Sequence, residues 1–380
     1  MRKVKTLFLS LLISFSASTI AQTTIYTNDM DYVIGDAKQA CIQNKLTTPA
    51  KVDALIAGFK AMKCNGIRVP IFPTGLNPNE PMMALLIQRA KEEGLVVFAN
   101  PAQHGGATRI ANESWEVGGV KGDPVKTQIL IDRILEFDKK YPCKWVDPFN
   151  EDSKTGAKWT AEQMNIIYST IKDSLVNAEL IGPCTWGLSV AIDIFKNTNI
   201  KDYITVATSH NLSFTHSKWK EFIDMAHAEG LPVWDSEITH SFPIKNDVKI
   251  TVSRLQAALA NKVDGLVIYN LWRNINLTTG AINNGGKTMM SLYLKPASTG
   301  VTTTSIKNAD VYHEDYGFRV EFLTTAQNNS VKIMDITGKI IQQYSHISDN
   351  DLQIRNLKQG LYIVVISSNN QTQVEKVMVY

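Results

Sequence analysis

The chain has 380 residues, 44% of them hydrophobic, with 39 Lys and Arg against 36 Asp and Glu, a formal net charge of +3. Single cores usually stop growing near ~250–300 residues, so one large domain and one small one are expected. A charge this small, with no basic tract, argues against nucleic acid as the main partner and favours a neutral or weakly charged substrate.

Residues 1–21 read as a secretory signal peptide. Arg2, Lys3 and Lys5 precede an apolar run from Leu7 to Phe15 and the small-residue ending Thr19-Ile20-Ala21, which places the mature start near Gln22. The run is shorter than the ~20 residues of a spanning helix, and no later segment reaches that length, so no transmembrane segment is expected. Cys41, Cys64, Cys143 and Cys184 lack metal-ligand spacing and read as structural thiols or disulfides. Cys41 with Cys64 is the first disulfide to test, because one helix-like segment separates them.

From about residue 30 to 273, short apolar runs alternate with longer amphipathic stretches, the rhythm of βαβ units around a parallel sheet. The expected strands are Tyr32–Gly35, Gly66–Phe72, Leu95–Pro101, Trp145–Asn150, Glu179–Thr185, Ile204–His210, Pro232–Glu237 and Gly265–Leu271. Helices are expected between them, at Pro49–Met62, Glu80–Glu93, Val125–Lys140, Thr160–Leu175, Ser217–Glu229 and Val248–Asn261. Gly94 and Gly230 stand where helix-ending glycines belong, and Thr160 with Gln163 reads as a capping box. An open doubly wound sheet would carry a Gly-rich phosphate loop after its first strand. None is present, so the pattern predicts a (β/α)8 TIM barrel over residues 22–298.

After residue 273, Asn274–Gly286 reads as loop, Met289–Leu294 as the closing segment, and Pro296–Ser305 as a linker rich in Thr, Ser, Gly and Pro. Residues 299–380 are expected to form this linker and a small antiparallel β-sandwich. Gly317–Phe322, Ser330–Asp335, Leu352–Ile354 and Leu361–Ser367 alternate apolar and polar residues between turn signals.

Catalytic groups of a TIM barrel sit at the C-terminal strand ends. The polar residues there are Arg68 in strand two, His104 after strand three, Asn150 and Glu151 ending strand four, His210 and Asn211 ending strand six, and Glu237 ending strand seven, with Trp272 after strand eight. Strands four and seven face each other across a barrel mouth. Carboxylates projecting from them can approach to about 5 Å, the separation of retaining glycosidases. His216, His227 and His240 have no metal-binding spacing, and no metal or cofactor is expected. Gln103–Gly122, with His104-Gly105-Gly106 and Gly118-Gly119, is a long loop that either shapes the cleft or is a disordered excursion.

Pro148-Phe149-Asn150-Glu151, Trp234-Asp235-Ser236-Glu237 and Tyr269-Asn270-Leu271-Trp272 resemble the signatures of clan A retaining glycoside hydrolases, nearest the family 30 branch. The resemblance implies Glu151 as acid/base, Glu237 as nucleophile and a β-linked polysaccharide as substrate. It further implies that Asn150 binds the sugar 2-hydroxyl, that Arg68 holds Glu237 ionised, and that Trp272 floors the subsite of the cleaved sugar; Tyr269 is a further substrate-binding candidate. His210, His104 and Asn211 are read as binding hydroxyls or orienting the carboxylates. Trp186 and Trp115 are weaker candidates for outer subsites. Among substrates, galactan-type polymers stand ahead of glucans and xylans. A non-catalytic glycan-binding barrel, or an inverting or α-specific hydrolase, is the alternative.

The tail holds Val331-Lys332-Ile333-Met334-Asp335-Ile336-Thr337-Gly338-Lys339, then Leu357-Lys358-Gln359-Gly360-Leu361-Tyr362, then Val374-Glu375-Lys376-Val377-Met378-Val379-Tyr380. This series resembles the C-terminal sorting domain of type IX secretion cargo; a carbohydrate-binding or fibronectin-like sandwich is the alternative. The resemblance implies passage through the periplasm, display or release outside the cell, and contact with the secretion machinery. A monomer is expected.

Overall fold

The structure, a computed structural model, describes residues 25–152, 159–213, 215–239, 254–295, 308–314, 317–323, 329–368 and 371–379. The signal-peptide reading, the linker Pro296–Ser305, His240 and the first part of the Val248–Asn261 helix lie outside them. The chain divides into two compact units, one ending at Pro296 and the other beginning at Ala297.

The first unit is built on a parallel sheet: β1 (Tyr32–Asp36), β2 (Gly66–Ile71), β3 (Val96–Pro101), β4 (Trp145–Val146), β5 (Glu179–Leu180), β6 (Gly182–Thr185), β7 (Ala207–Ser209), β8 (Val233–Thr239) and β9 (Gly265–Tyr269). Each strand pairs with its sequence neighbours except β5 with β6, and β1 pairs with β9. β5 and β6 are halves of one run interrupted at Ile181; the first half pairs with β4 and the second with β7. Across the interruption, Ile181 N donates to Val146 O at 3.0 Å and Gly182 N to Val206 O at 3.1 Å. The eight expected strands therefore close into a (β/α)8 barrel.

Around it lie α1 (Lys38–Ile42), α2 (Pro49–Ala61), α3 (Glu80–Glu92), α4 (Gly106–Ala111), α5 (Pro124–Lys140), α6 (Ala161–Ser174), α7 (Leu188–Asn197) and α8 (Trp219–Ala228). Their ends follow from local chemistry. Thr48 and Asp123 cap α2 and α5, each with Pro at the first helical turn, and the Thr160–Gln163 capping box opens α6. Gly94 (φ +76°) and Gly230 (φ +73°) terminate α3 and α8 in the left-handed region that glycine enters without a Cβ clash. The apolar faces of these helices pack on the outside of the barrel. Phe59, Phe137, Trp219 and Phe222 are wholly buried there, each contributing roughly 1.5–3 kcal/mol by area removed from water.

Inside the barrel a separate apolar cluster, Ile34, Phe98, Trp145, Ile181, Val206, Trp234 and Val267, fills the lower layer. Trp145 and Trp234 meet edge to face at 4.7 Å. Side chains two residues further along a strand point to the same side, so Asp36 follows Ile34 and Asn100 follows Phe98 at the level above. The interior is apolar below and polar at the mouth.

Three expectations are corrected. Strand four stops at Val146, because Pro148 has no N–H for the ladder and the Asp147 carboxylate takes Phe149 N at 2.9 Å. Asn274–Gly286 is not simply loop: a helix runs over Asn284–Tyr293, capped by Asn283 on Gly286 N at 2.9 Å, its start masked in the sequence by Gly285-Gly286. The Cys41–Cys64 disulfide does not form; all four cysteines are buried free thiols, with Cys64 against Tyr26 and Tyr293 and Cys41 on α1 near Asp36.

The second unit holds a three-stranded antiparallel sheet, β10 (Ala309–Glu314), β11 (Gly317–Phe322) and β14 (Asp351–Ile354). A four-stranded one is formed by β12 (Asn329–Asp335), β13 (Ile340–Ile347), β15 (Gly360–Ser368) and β16 (Gln371–Val379). Alternate residues, Phe318 and Val320 from one sheet and Val331, Ile333, Val364 and Ile366 from the other, form its core.

Candidate active site

Chain geometry sets the two glutamates facing each other. Beyond β4 the backbone turns through a left-handed residue at Glu151 (φ +59°), anchored by Glu151 N donating to Cys184 O at 2.9 Å. Cys184 (φ +40°) and Asn270 (φ +56°) are left-handed as well. Such conformations cost non-glycine residues of order 1–3 kcal/mol and persist where surrounding structure imposes them, often at functional sites. Glu237 comes from β8, where the ladder slips register between Asp235 and Ile238 and re-aims the side chain. Both glutamates are buried, and an oxygen of each lies within 4.8 Å of the other and of a His210 nitrogen.

Their surroundings differ. Arg68 Nη1 donates to Glu237 Oε2 at 2.7 Å, Nη2 to Asn150 Oδ1 at 2.8 Å, and Nε to Asn100 Oδ1 at 2.9 Å. Lys38 Nζ, also fully buried, reaches Pro101 O and Asn150 Oδ1 at 3.1 Å and Asn100 Oδ1 at 3.3 Å. Burial alone would raise the Glu237 carboxyl, but the charges of His210, Arg68 and Lys38 outweigh it and hold the group well below the usual carboxylate range. Among the described residues no lysine or arginine bonds Glu151; its Oε1 meets His210 Nδ1 at 2.7 Å.

His210, from the end of β7, links the pair. Its Nε2 is 3.0 Å from Cys184 Sγ and 3.9 Å from Glu237 Oε2. Burial disfavours its charge, yet the negative Cys184 and Glu237 push the imidazole up to about 10. Lys38 moves the other way, down to about 8, through burial and the repulsion of Arg68. Glu151, His210 and Glu237 converge with ligand atoms within 4.8 Å of one another, and among them Glu237 Oε2 takes Arg68 while Glu151 Oε1 meets His210.

The structure brings Arg68, Asn150, Glu151, His210 and Glu237 into one cluster, and half-buried Tyr269 and exposed His104 line the cavity above it. Asn150 is heavily used within the protein: Oδ1 takes Arg68, Lys38 and Asn100, and Nδ2 donates to Gln103 O at 2.7 Å. Two residues stand elsewhere. Trp272 is 9% exposed within the main core, its Nε1 on Asn270 Oδ1 at 2.9 Å, and does not line this cavity. Asn211 is buried against His216, Nδ2 to Nδ1 at 2.7 Å. Trp115 packs edge-on to Phe72, and Trp186 is half-buried after β6.

The Gln103–Gly122 segment is ordered. It contains α4, and Asp152 clamps it to the end of β4: Oδ1 accepts Thr108 N at 2.8 Å and Thr108 Oγ1 at 2.9 Å, while Oδ2 accepts Ala107 N and Asn150 N at 3.1 Å. Sequence reasoning missed Lys38, Asp36, Asn100 and Cys184. Asp36, Asn100 and Cys184 lie at or near strand ends, where the rule used for the glutamates applies to them equally. Lys38 sits two residues beyond β1, and nothing in its neighbours announces burial.

Residues 317–380 match the family described as the secretion system C-terminal sorting domain. The chain carries a secretion sorting domain. This tail marks the protein for type IX secretion, to the cell surface or the medium. No curated protein matches the sequence. Among solved structures, a family 30 endoxylanase from Clostridium papyrosolvens C71 aligns with TM-score 0.51 and 12% identity, over 93% of this chain and 95% of that chain. A Cellulomonas fimi endo-β-1,4-mannanase double mutant aligns with TM-score 0.46 and 10% identity, over 93% and 95%. At 12% identity the first likeness shows a shared barrel fold. No helix among the described residues is long and apolar enough to cross a membrane.

Proposed function

We propose that the protein is a secreted glycoside hydrolase that cleaves a β-linked polysaccharide with retention of configuration. The observation that carries this reading is the pair Glu151 and Glu237, buried at the mouth with oxygens within 4.8 Å of each other in unlike surroundings. Retaining enzymes hold their carboxyl groups at ~5–5.5 Å and inverting ones at ~6.5–9.5 Å, so the close approach favours retention. Glu237, ionised against Arg68, is placed to attack the anomeric carbon. Glu151 protonates the leaving oxygen, then removes a proton from the water that releases the glycosyl-enzyme.

Arg68 and Lys38 keep Glu237 anionic, which separates the roles of two identical side chains by environment. The barrel likeness to a family 30 endoxylanase and the sorting tail support an extracellular glycan as substrate. The test is a panel of purified β-galactans, xylans, glucans and mannans incubated with the protein and assayed for new reducing ends, with the anomer first released read by NMR. No new ends from any polymer, or inverted product, overturns the reading.

A further inference from the structure

Cys184 is buried against His210, the residue that links the two glutamates, and the double-displacement mechanism leaves it without a task. Its surroundings fix its polarity. Asn100 Oδ1 faces two cations, Arg68 Nε at 2.9 Å and Lys38 Nζ at 3.3 Å, so that amide is oriented by charge and only its Nδ2 is left to face the sulfur, at 3.3 Å. On that side the sulfur accepts, and it stands 3.9 Å from Asn150 Oδ1, an oxygen that already takes Arg68, Lys38 and Asn100. His210 Nε2 stands 3.0 Å away on another side, close enough to donate to the sulfur as an imidazolium. The opposite ring nitrogen, Nδ1, lies 2.7 Å from Glu151 Oε1.

We propose that Cys184 and His210 form a thiolate–imidazolium pair that positions the acid/base Glu151: Nδ1–H holds Oε1, the reacting proton is left on Oε2, and the sulfur cancels the imidazolium charge. This inference rests on the assignment of Glu151 proposed above. An imidazolium alone, 2.7 Å from a carboxyl and backed by Arg68 and Lys38, would strip the proton that the leaving group needs. With the thiolate present the pair is neutral. In the first half-reaction the Oε2 proton passes to the glycosidic oxygen, and Glu151 becomes a carboxylate still bonded to Nδ1–H. In the second, Oε2 takes a proton from water, and the pair ends as it began.

The groups facing this pair are Asp147 and Glu151 after β4, Asp235 and Glu237 on β8, Arg68 on β2, Lys38 on α1 and Tyr168 on α6. Burial would raise the Cys184 thiol, but His210, Arg68 and Lys38 together bring it below its ordinary value. The other thiols move the opposite way: burial pushes Cys41 and Cys64 up to about 12 and Cys143 upward. A thiolate seen near neutral pH is therefore that of Cys184.

Two measurements need no turnover: ultraviolet thiolate absorbance against pH, and nitrogen-15 NMR of histidine-labelled protein. At neutral pH the wild type is expected to show one thiolate and one imidazolium protonated at both nitrogens; in Cys184→Ser, or in Cys184→Ala should the first variant fold poorly, the thiolate is lost and the imidazolium stays, held by Glu237 and Glu151 without its counter-charge. On polysaccharide, the alkaline limb of kcat/KM in Cys184→Ser moves to lower pH and turnover at pH 8 falls by about tenfold, with a smaller loss on an activated aryl glycoside that needs no acid. A protonated thiol or neutral His210 in the wild type overturns the proposal, as does an unmoved alkaline limb in the variant. Both spectroscopic signals present in a protein that cleaves no glycan would instead remove the glycosidase reading, leaving the ion pair standing.

Discussion

The Arg68 guanidinium reaches Glu237 Oε2 at 2.7 Å from the base of the site, with both side chains buried. An ion pair in that position is costly to break from one side, because the surviving carboxylate keeps its burial and loses its counter-charge. Arg68→Met is expected to lower stability by about 3–5 kcal/mol in chemical denaturation. Its acid limb of kcat/KM should move to higher pH. The sign follows from Glu237 being depressed in the fold: its stabilisation is present above the unfolded carboxylate value and lost as pH falls through the folded one. An unchanged acid limb would separate Arg68 from Glu237.

Different rescue patterns are expected from the two glutamates. Glu237→Ala should be inactive on every glycoside, because the nucleophile serves both half-reactions. Glu151→Ala should lose about 10²–10⁴-fold on polysaccharide, yet regain activity on an activated aryl glycoside and with azide, which attacks the glycosyl-enzyme without a general base. The reverse pattern would exchange the roles.

Burial pushes Asp235 up to about 7 against the opposing charges of His210 and Arg254, with Glu237 N its backbone donor at 3.4 Å. A raised folded value means stability is fully present below the unfolded carboxylate range and declines as pH rises toward 7. Asp235→Asn should therefore gain Tm over the wild type across that window and hold the gain above it, a benefit on the order of a few kcal/mol. A gain independent of pH would mean that packing, not titration, produced it.

Asp152 ties the loop after β3 to the end of β4 through four accepted hydrogen bonds. Asp152→Ala is expected to cost about 3 kcal/mol, since hydrogen bonds to a buried charge are worth ~1.5–3 kcal/mol each before relaxation. Amides of α4 should exchange with deuterium faster in the variant, and KM should rise because His104 and Gln103 lose their support. Unchanged exchange over residues 104–111 would show that the loop holds itself.

Ending the chain at Ser305 removes the sorting domain and leaves the barrel unit entire. The truncated protein should fold with its own cooperative transition and keep its activity when purified, while in the native host it accumulates in the periplasm. Fractionation and denaturation curves check the two halves of this expectation.

How much of this was legible from residues alone depended on whether a local rule applied. Strand–helix alternation gave the barrel, and glycines and capping residues gave several boundaries, because those signals are local. The strand-end rule drew attention to Glu151, Glu237 and His210. It missed Cys184, which reads as a small apolar residue until Asn100 and His210 are seen against its sulfur. Lys38 escaped notice because solvent is the usual environment of lysine; here three acceptors from β3 and the β4 end compensate its burial. Trp272 was placed on an aromatic's usual role, whereas its indole N–H is tied to Asn270 and its ring packs in the core.

Beneath all of these groups, Trp145, Trp234 and the aliphatic residues around them seal the barrel from below. Close-packed interiors leave few voids larger than a water molecule. The site is a one-ended well: substrate, solvent and every exchanged proton arrive by the rim and leave by it. Tritium carried in with the attacking water meets Lys38 on the cavity wall before it reaches the wholly buried Arg68, so the Arg68 hydrogens should be the last to wash out.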